Sequence, residues 1–305
     1  MKFPKFFLFT IAAILSVSAF GVPKIVRPID QSINLDGVAK VEARVQGGFI
    51  NLTGDQCSNA HVLIEKVFRN ASEKEADSIE SKIEQTIDDL DSILYIEFKY
   101  DNDWAFWSLF RSKPSVHFNA TLSVPKGINV ELHTSGGNIE IDGVEGEVAA
   151  RTSGGHMKLA DIGGLVNAHT SGGSIAASDL RSGANLSTSG GPIKVDSIAG
   201  NSKLKTSGGS INATGVNGPL EAKTSGGSIT ASFPREIDAD TLLKTSGGDI
   251  IEKLPLGERF YLNAPNSGGG VRTDFPITMT YELKRSRTAE GPVNGGGPFL
   301  KLRTS

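Results

Sequence analysis

The chain has 305 residues, 38% of them hydrophobic and 21% charged, with 36 glycines and a formal net charge of -3. That balance excludes a disordered polar chain and points to neither nucleic acid nor an acidic substrate as partner. One cysteine, Cys57, leaves no internal disulfide framework and reads as a small buried side chain.

The first residues follow an export pattern. Lys2 and Lys5 give a positive start, Phe6 to Val17 is apolar apart from Thr10 and Ser16, and Val17-Ser18-Ala19 and Ala19-Phe20-Gly21 are small-residue cleavage sites. The run falls short of the about 20 apolar residues a membrane helix needs, and no later segment is apolar enough to cross a bilayer. Residues 1–21 are therefore expected to be a signal peptide, with a mature N-terminus at Phe20 or Val22. The mature chain, lacking a transmembrane segment, is expected in the periplasm, at the cell surface or outside the cell.

Residues 22–125 read as a small α+β cap module. Val45 to Leu52 resembles a degenerate first rung of the repeat described below, and His61 to Val67 is a strand. Ser72 and Glu75 form a capping box. Ala76, Ile79, Ile83, Ile87, Leu90 and Leu94 then recur at spacings of three and four, which predicts one amphipathic helix through that whole stretch. Strands follow at Tyr95 to Lys99 and His117 to Val124. Between them Trp104, Phe106, Trp107 and Phe110 suggest cap or core packing.

Residues 126–305 carry the repeat. Thr-Ser-Gly-Gly begins at Thr134, Thr152, Thr170, Thr188, Thr206 and Thr224, spaced by 18 residues, and again at Thr245 after 21; Asn266-Ser267-Gly268-Gly269 is a degenerate copy. Two residues past each Gly-Gly pair stand Ile139, Met157, Ile175, Ile193, Ile211, Ile229 and Ile250, and a second apolar position follows two later. This alternation makes a short strand with one buried face. A third column holds Val144, Ile162, Leu180, Ile198 and Val216, before a glycine turn and a second strand. The fold class is thus all-β: a single-stranded parallel β-solenoid with 18-residue rungs about 4.8 Å apart, right-handed by the general crossover preference. The Gly-Gly pairs are expected to supply positive φ at a tight corner. They are not a phosphate cradle, because no helix follows any copy. Phe275, Ile277, Met279 and Tyr281 alternate as one longer strand. Leu302-Arg303-Thr304-Ser305 begins another rung and would leave an open edge.

The repeated Thr-Ser-Gly-Gly-x-Ile segments, with Leu122-Ser123-Val124-Pro125-Lys126-Gly127 upstream, resemble the bacterial β-strand-repeat domain of unknown function labelled "putative adhesin". The resemblance spans about residues 40–305. It implies an extracytoplasmic protein near the cell envelope and brings no catalytic or binding residues with it.

Two columns could carry function. Asp161 and Asp179 share a position on adjacent rungs, near Asp142 and Asp196. A separation of about 4.8 Å would suit a retaining glycosidase pair or a Ca²⁺ site, although Asp also serves simply as a turn residue. The other column, just before each Thr, reads His133, Arg151, His169, Ser187, Lys205, Lys223 and Lys244, and alternation turns it outward. A basic, hydroxyl-flanked stripe about 29 Å long suits an anionic glycan or another cell-envelope component. His133 and His169 lie two rungs apart, too far to share a metal. No metal, cofactor or catalytic set is expected. The sequence favours a non-enzymatic, adhesin-like surface or envelope interaction module over a β-helix lyase or glycosidase working through Asp161 and Asp179.

Overall fold

Period-two alternation builds almost every element of the computed structural model, which describes residues 24–100, 114–265, 274 and 288–304. The export segment, the aromatic run at 103–110, the degenerate copy at 266–269 and the strand expected at 275–281 lie outside these. The chain forms two compact units, one ending at Val144 and one beginning at Glu145.

The first unit contains β1 (Lys24–Asn34), β2 (Lys40–Val45), β3 (Ile50–Asp55), β4 (Asn59–Arg69), α1 (Glu73–Glu80), β5 (Ile83–Leu90), β6 (Ile93–Tyr100), β7 (Ser115–Pro125), β8 (Asn129–Thr134) and β9 (Ile139–Asp142). One sheet runs β1-β4-β7-β3-β9 and the other β8-β2-β6-β5. The expected first rung is present: Val45 pairs with Thr134 and Ile50 with Ile139, both in parallel register. On their other side β6 and β7 lie parallel to β2 and β3, with Phe98 beside Val45 and Ala120 beside Ile50. The outermost strands pair antiparallel, β1 against β4 and β4 against β7 in one sheet and β5 against β6 in the other. Cys57, expected buried, is half-buried.

The helix is shorter than its pattern suggests. The capping box forms: the Ser72 N–H donates to Glu75 Oε2 at 2.8 Å and the Glu75 N–H to Ser72 Oγ at 3.4 Å. Arg27 then meets Glu73 at 2.9 Å, Asp77 at 2.7 Å and also Glu80, tying α1 to β1. Beyond Glu80, however, Ile83–Leu90 is a strand against β6, not a continuation of the helix. Asp91 (φ 51°) and Ser92 (φ 63°) make the two-residue, left-handed turn that a hairpin requires. Pairing with β6 outweighs a weak helical period, one of whose apolar members, Leu90, is 61% exposed.

The second unit alternates between two sheets. One holds β11 (Met157–Ile162), β13 (Ile175–Leu180), β15 (Ile193–Ala199), β17 (Ile211–Asn217), β19 (Ile229–Ser232) and β21 (Ile250–Lys253), in that order. The other holds β10 (Val148–Thr152), β12 (Val166–Thr170), β14 (Ala184–Thr188), β16 (Ser202–Lys205), β18 (Leu220–Lys223) and β20 (Thr241–Lys244), then β24 (Phe299–Arg303), β22 (Phe260–Pro265) and β23 (Thr288–Val293). Parallel pairing sets residues 18 apart side by side: Met157, Ile175, Ile193, Ile211 and Ile229 form one buried ladder, with Ile250 after them. Burying such a side chain contributes about 1.5–3 kcal/mol, and each rung covers its neighbours.

The Thr-x-Gly-Gly signature has a hydrogen-bond explanation. Thr188 Oγ1 donates to Gly173 O of the preceding rung at 2.8 Å and accepts the Gly191 N–H of its own rung at 3.4 Å. Thr170, Thr206, Thr224 and Thr245 repeat the arrangement. The glycines of these repeats do not supply positive φ, contrary to expectation. The need is steric: a Cβ on Gly191 would stand 2.2 Å from Gly173 O, and one on Gly173 1.9 Å from Gly155 O. The second glycine of each pair lets backbones stack at strand spacing.

The last residues correct another expectation. Phe299–Arg303 does not begin a rung at an open edge. It lies between β20 and β22, and the sheet ends on β23, antiparallel to β22. Thr304 Oγ1 donates to Gly248 O at 3.1 Å, repeating the threonine bond of earlier rungs.

Candidate functional site: a basic column on the second unit

Alternation along β10, β12, β14, β16, β18 and β20 turns Ala150, Leu204 and Leu243 inward and the residues after them outward. Register then aligns Arg151 with His169, His169 with Ser187, Ser187 with Lys205, Lys205 with Lys223 and Lys223 with Lys244. One further member follows: Arg303 on β24 stands beside Lys244. Five of the six candidate residues therefore form one column. The sixth, His133, belongs to the first unit, where it stands beside Arg44 and its Nε2 lies 2.9 Å from Glu131 Oε1. There it lines a cavity of about 380 Å³ with Arg44, Glu84, Glu97 and Lys99. Lys40, 2.7 Å from Glu131, and His133 hold that carboxyl down to about 2.

Charge is uneven along the column. The half-buried His169 and Ser187 engage each other, Nδ1 to Oγ, at 2.8 Å. Lys223 is held by Glu221, whose carboxyl it keeps below its ordinary pKa. Arg151, Lys205, Lys244 and Arg303 are exposed and make no ion pair among the described residues. The neighbouring outward column adds Lys203 beside Glu221 and Lys301 beside Leu242; Lys301 lies 3.5 Å from Asp240. From β16 to β24 the face carries Lys203, Lys205, Lys223, Lys244, Lys301 and Arg303 against Glu221 and Asp240. Sequence reading did not place Arg303, Lys203 or Lys301 on it. The signal for Arg303 was present, since Leu302-Arg303-Thr304-Ser305 repeats Leu243-Lys244-Thr245-Ser246.

The aspartate column is built differently. Asp161 (φ 51°), Asp179 (φ 53°), Ser197 (φ 63°) and Gly215 (φ 66°) hold equivalent left-handed positions, and the ladder skips them: Ala160 pairs with Ser178 and Ile162 with Leu180. Each is a left-handed kink repeated at the same place on successive rungs, a position that Asp and Gly tolerate. Both aspartates are exposed, and Arg181 bridges Asp161 to Glu145.

These features define a repeat-built protein of stacked parallel strands with a predominantly basic outer face. The chain belongs to the family described as Toastrack DUF4097, whose model matches residues 58–291. Among solved structures it is similar to a "putative adhesin" from Bacteroides fragilis at 15% identity, covering 75% of this chain and 97% of that one with a TM-score of 0.44. It is also similar to a "putative lipid binding protein" from Parabacteroides distasonis (15% identity, 74% and 94% covered, TM-score 0.40) and a "putative cell adhesion protein" from Clostridium sporogenes (10%, 92% and 100%, TM-score 0.28). No curated protein matches the chain. Among the described residues no helix is long and apolar enough to cross a membrane, and no three His, Cys, Asp or Glu converge to hold a metal ion.

Proposed function

We propose that this protein is a non-enzymatic, adhesin-like interaction module that works outside the cytoplasm and holds an anionic glycan or cell-envelope component on its basic face. The alignment of Lys205, Lys223, Lys244 and Arg303 on successive parallel strands carries this reading. Like charges held at about 4.8 Å repel one another, and an anion laid across them relieves that repulsion. The export pattern at residues 1–21 supports a location outside the cytoplasm. Against a glycan-cleaving enzyme using Asp161 and Asp179 stand their left-handed turn conformations and the Arg181 bridge. The test is a glycan-array screen of the mature protein, with and without Ca²⁺. Acidic glycans should be retained in both conditions; retention of neutral glycans alone, or cleavage of any glycan, would contradict the proposal.

A further inference from the structure

The longest uninterrupted run of positive charge on the basic face crosses the strands. Along the stack, Lys205, Lys223, Lys244 and Arg303 follow one another on β16, β18, β20 and β24, about 14 Å from first to last. Beside the row the sign is mixed: the adjoining outward column reads Lys203, Glu221, Leu242 and Lys301, so only β16 and β24 carry a second cation. A chain laid along a strand meets at most two cations, whereas one laid across the strands meets four. Upstream the row stops at Ser187, an uncharged residue already engaged by His169.

The spacing of the row is fixed by backbone. The Thr206 N–H donates to Lys223 O at 3.0 Å, the Thr224 N–H to Lys244 O at 2.9 Å and the Thr245 N–H to Arg303 O at 2.9 Å. Each cation is thus rooted in the ladder, and a ligand must match its pitch. Beside the row, two positions further along each strand path, Ser207, Ser225 and Ser246 are exposed and present hydroxyls in the same order. A polymer with both charges and hydroxyls is complemented on both counts. Polyphosphate offers no hydroxyl, and a chain charged on every second sugar leaves alternate rungs unmatched.

Resting on the anionic reading above, we infer that the ligand is a linear acidic polysaccharide with a carboxylate on every sugar, running across the strands and engaging four consecutive rungs. Once one charge is seated, each further contact is intramolecular, so affinity climbs with chain length until the row is filled. The length at which it levels off reports the row.

The experiment is calorimetric titration of the mature protein with oligogalacturonates of one to eight units at low, constant salt. Affinity should rise at least roughly tenfold from dimer to tetramer and change little beyond six units. Arg303→Gln should lower the plateau and move it to a shorter oligomer while leaving the dimer nearly unaffected, with its melting temperature checked against the parent chain. Continued gain beyond six units would overturn the inference, as would equal binding of an alternately charged polysaccharide or a short single-stranded DNA; any of these would leave the anionic reading standing. Failure of every polyanion to bind would remove both.

Discussion

Lys244 and Arg303 stand side by side on adjacent parallel strands, although β21, β22 and β23 intervene between them in sequence. Arg303 reaches that place because Leu300 fills the core position beside Thr241 and Leu262. Leu300 is 1% exposed. Leu300→Ala should therefore cost about 2–4 kcal/mol and speed amide exchange along β20. Arg303→Ser, on the exposed side of β24 and without an ion pair among the described residues, should cost less than about 1 kcal/mol. Equal losses in chemical denaturation would mean that β24 is misplaced.

The threonine ladder gives a second prediction. Thr188→Val keeps the shape but strands Gly173 O and the Gly191 N–H, so unfolding should become easier by about 1–3 kcal/mol. Thr188→Ser keeps the hydroxyl and should retain most of that stability. A Val variant as stable as the parent would remove the explanation given for the repeated Thr.

The glycines should not be equivalent. Gly191→Ala drives a Cβ to 2.2 Å from Gly173 O, while at Gly190 the nearest atom lies at 3.2 Å. The first substitution should destabilise by several kcal/mol and the second by much less, as read from paired melting curves. Were positive φ the reason for these glycines, both would suffer alike.

Much of this was legible in the sequence because a repeat states its architecture many times. Ile175 between Met157 and Ile193 follows directly from the 18-residue spacing and alternation. What sequence left hidden depends on contacts between distant segments. The 83–90 segment has helical spacing, yet β6 pairs with it after the Asp91-Ser92 turn. The role of the second glycine depends on a carbonyl one rung away. Arg303 repeats the local pattern, but only the insertion of β24 beside β20 puts it in the basic row.

Acidity should tune the far end of the second unit. Glu252 follows Ala231 in a core-facing ladder, its Oε1 is buried without a partner, and burial together with the charge of Glu258 pushes its pKa up to about 8. Glu258 is itself 1% exposed, with its own pKa raised. A carboxyl whose pKa is higher folded than unfolded favours the folded state at low pH. That contribution is complete below about 4.5 and is lost as pH rises through about 8. Stability should fall across this window, by up to about 1.4 kcal/mol per pH unit, and Glu252→Gln should flatten the decline. An unchanged slope in the Gln variant would show that Glu252 is not the group responsible.

The central claim is that the exposed cations of the column hold an anionic partner. Lys205, Lys244 and Arg303 are exposed and free of ion pairs among the described residues, so changing all three to Glu should leave the fold intact, as melting and circular dichroism can verify. The direct measurement is retention of the mature protein on an acidic-glycan resin at moderate salt, where exposed charges are screened beyond about 8–10 Å and only multivalent contact persists. The parent chain and the Asp161→Asn, Asp179→Asn control should be retained, and the triple Glu variant should pass through unbound. Equal retention of the folded triple variant would contradict the account and leave the column as solvated surface.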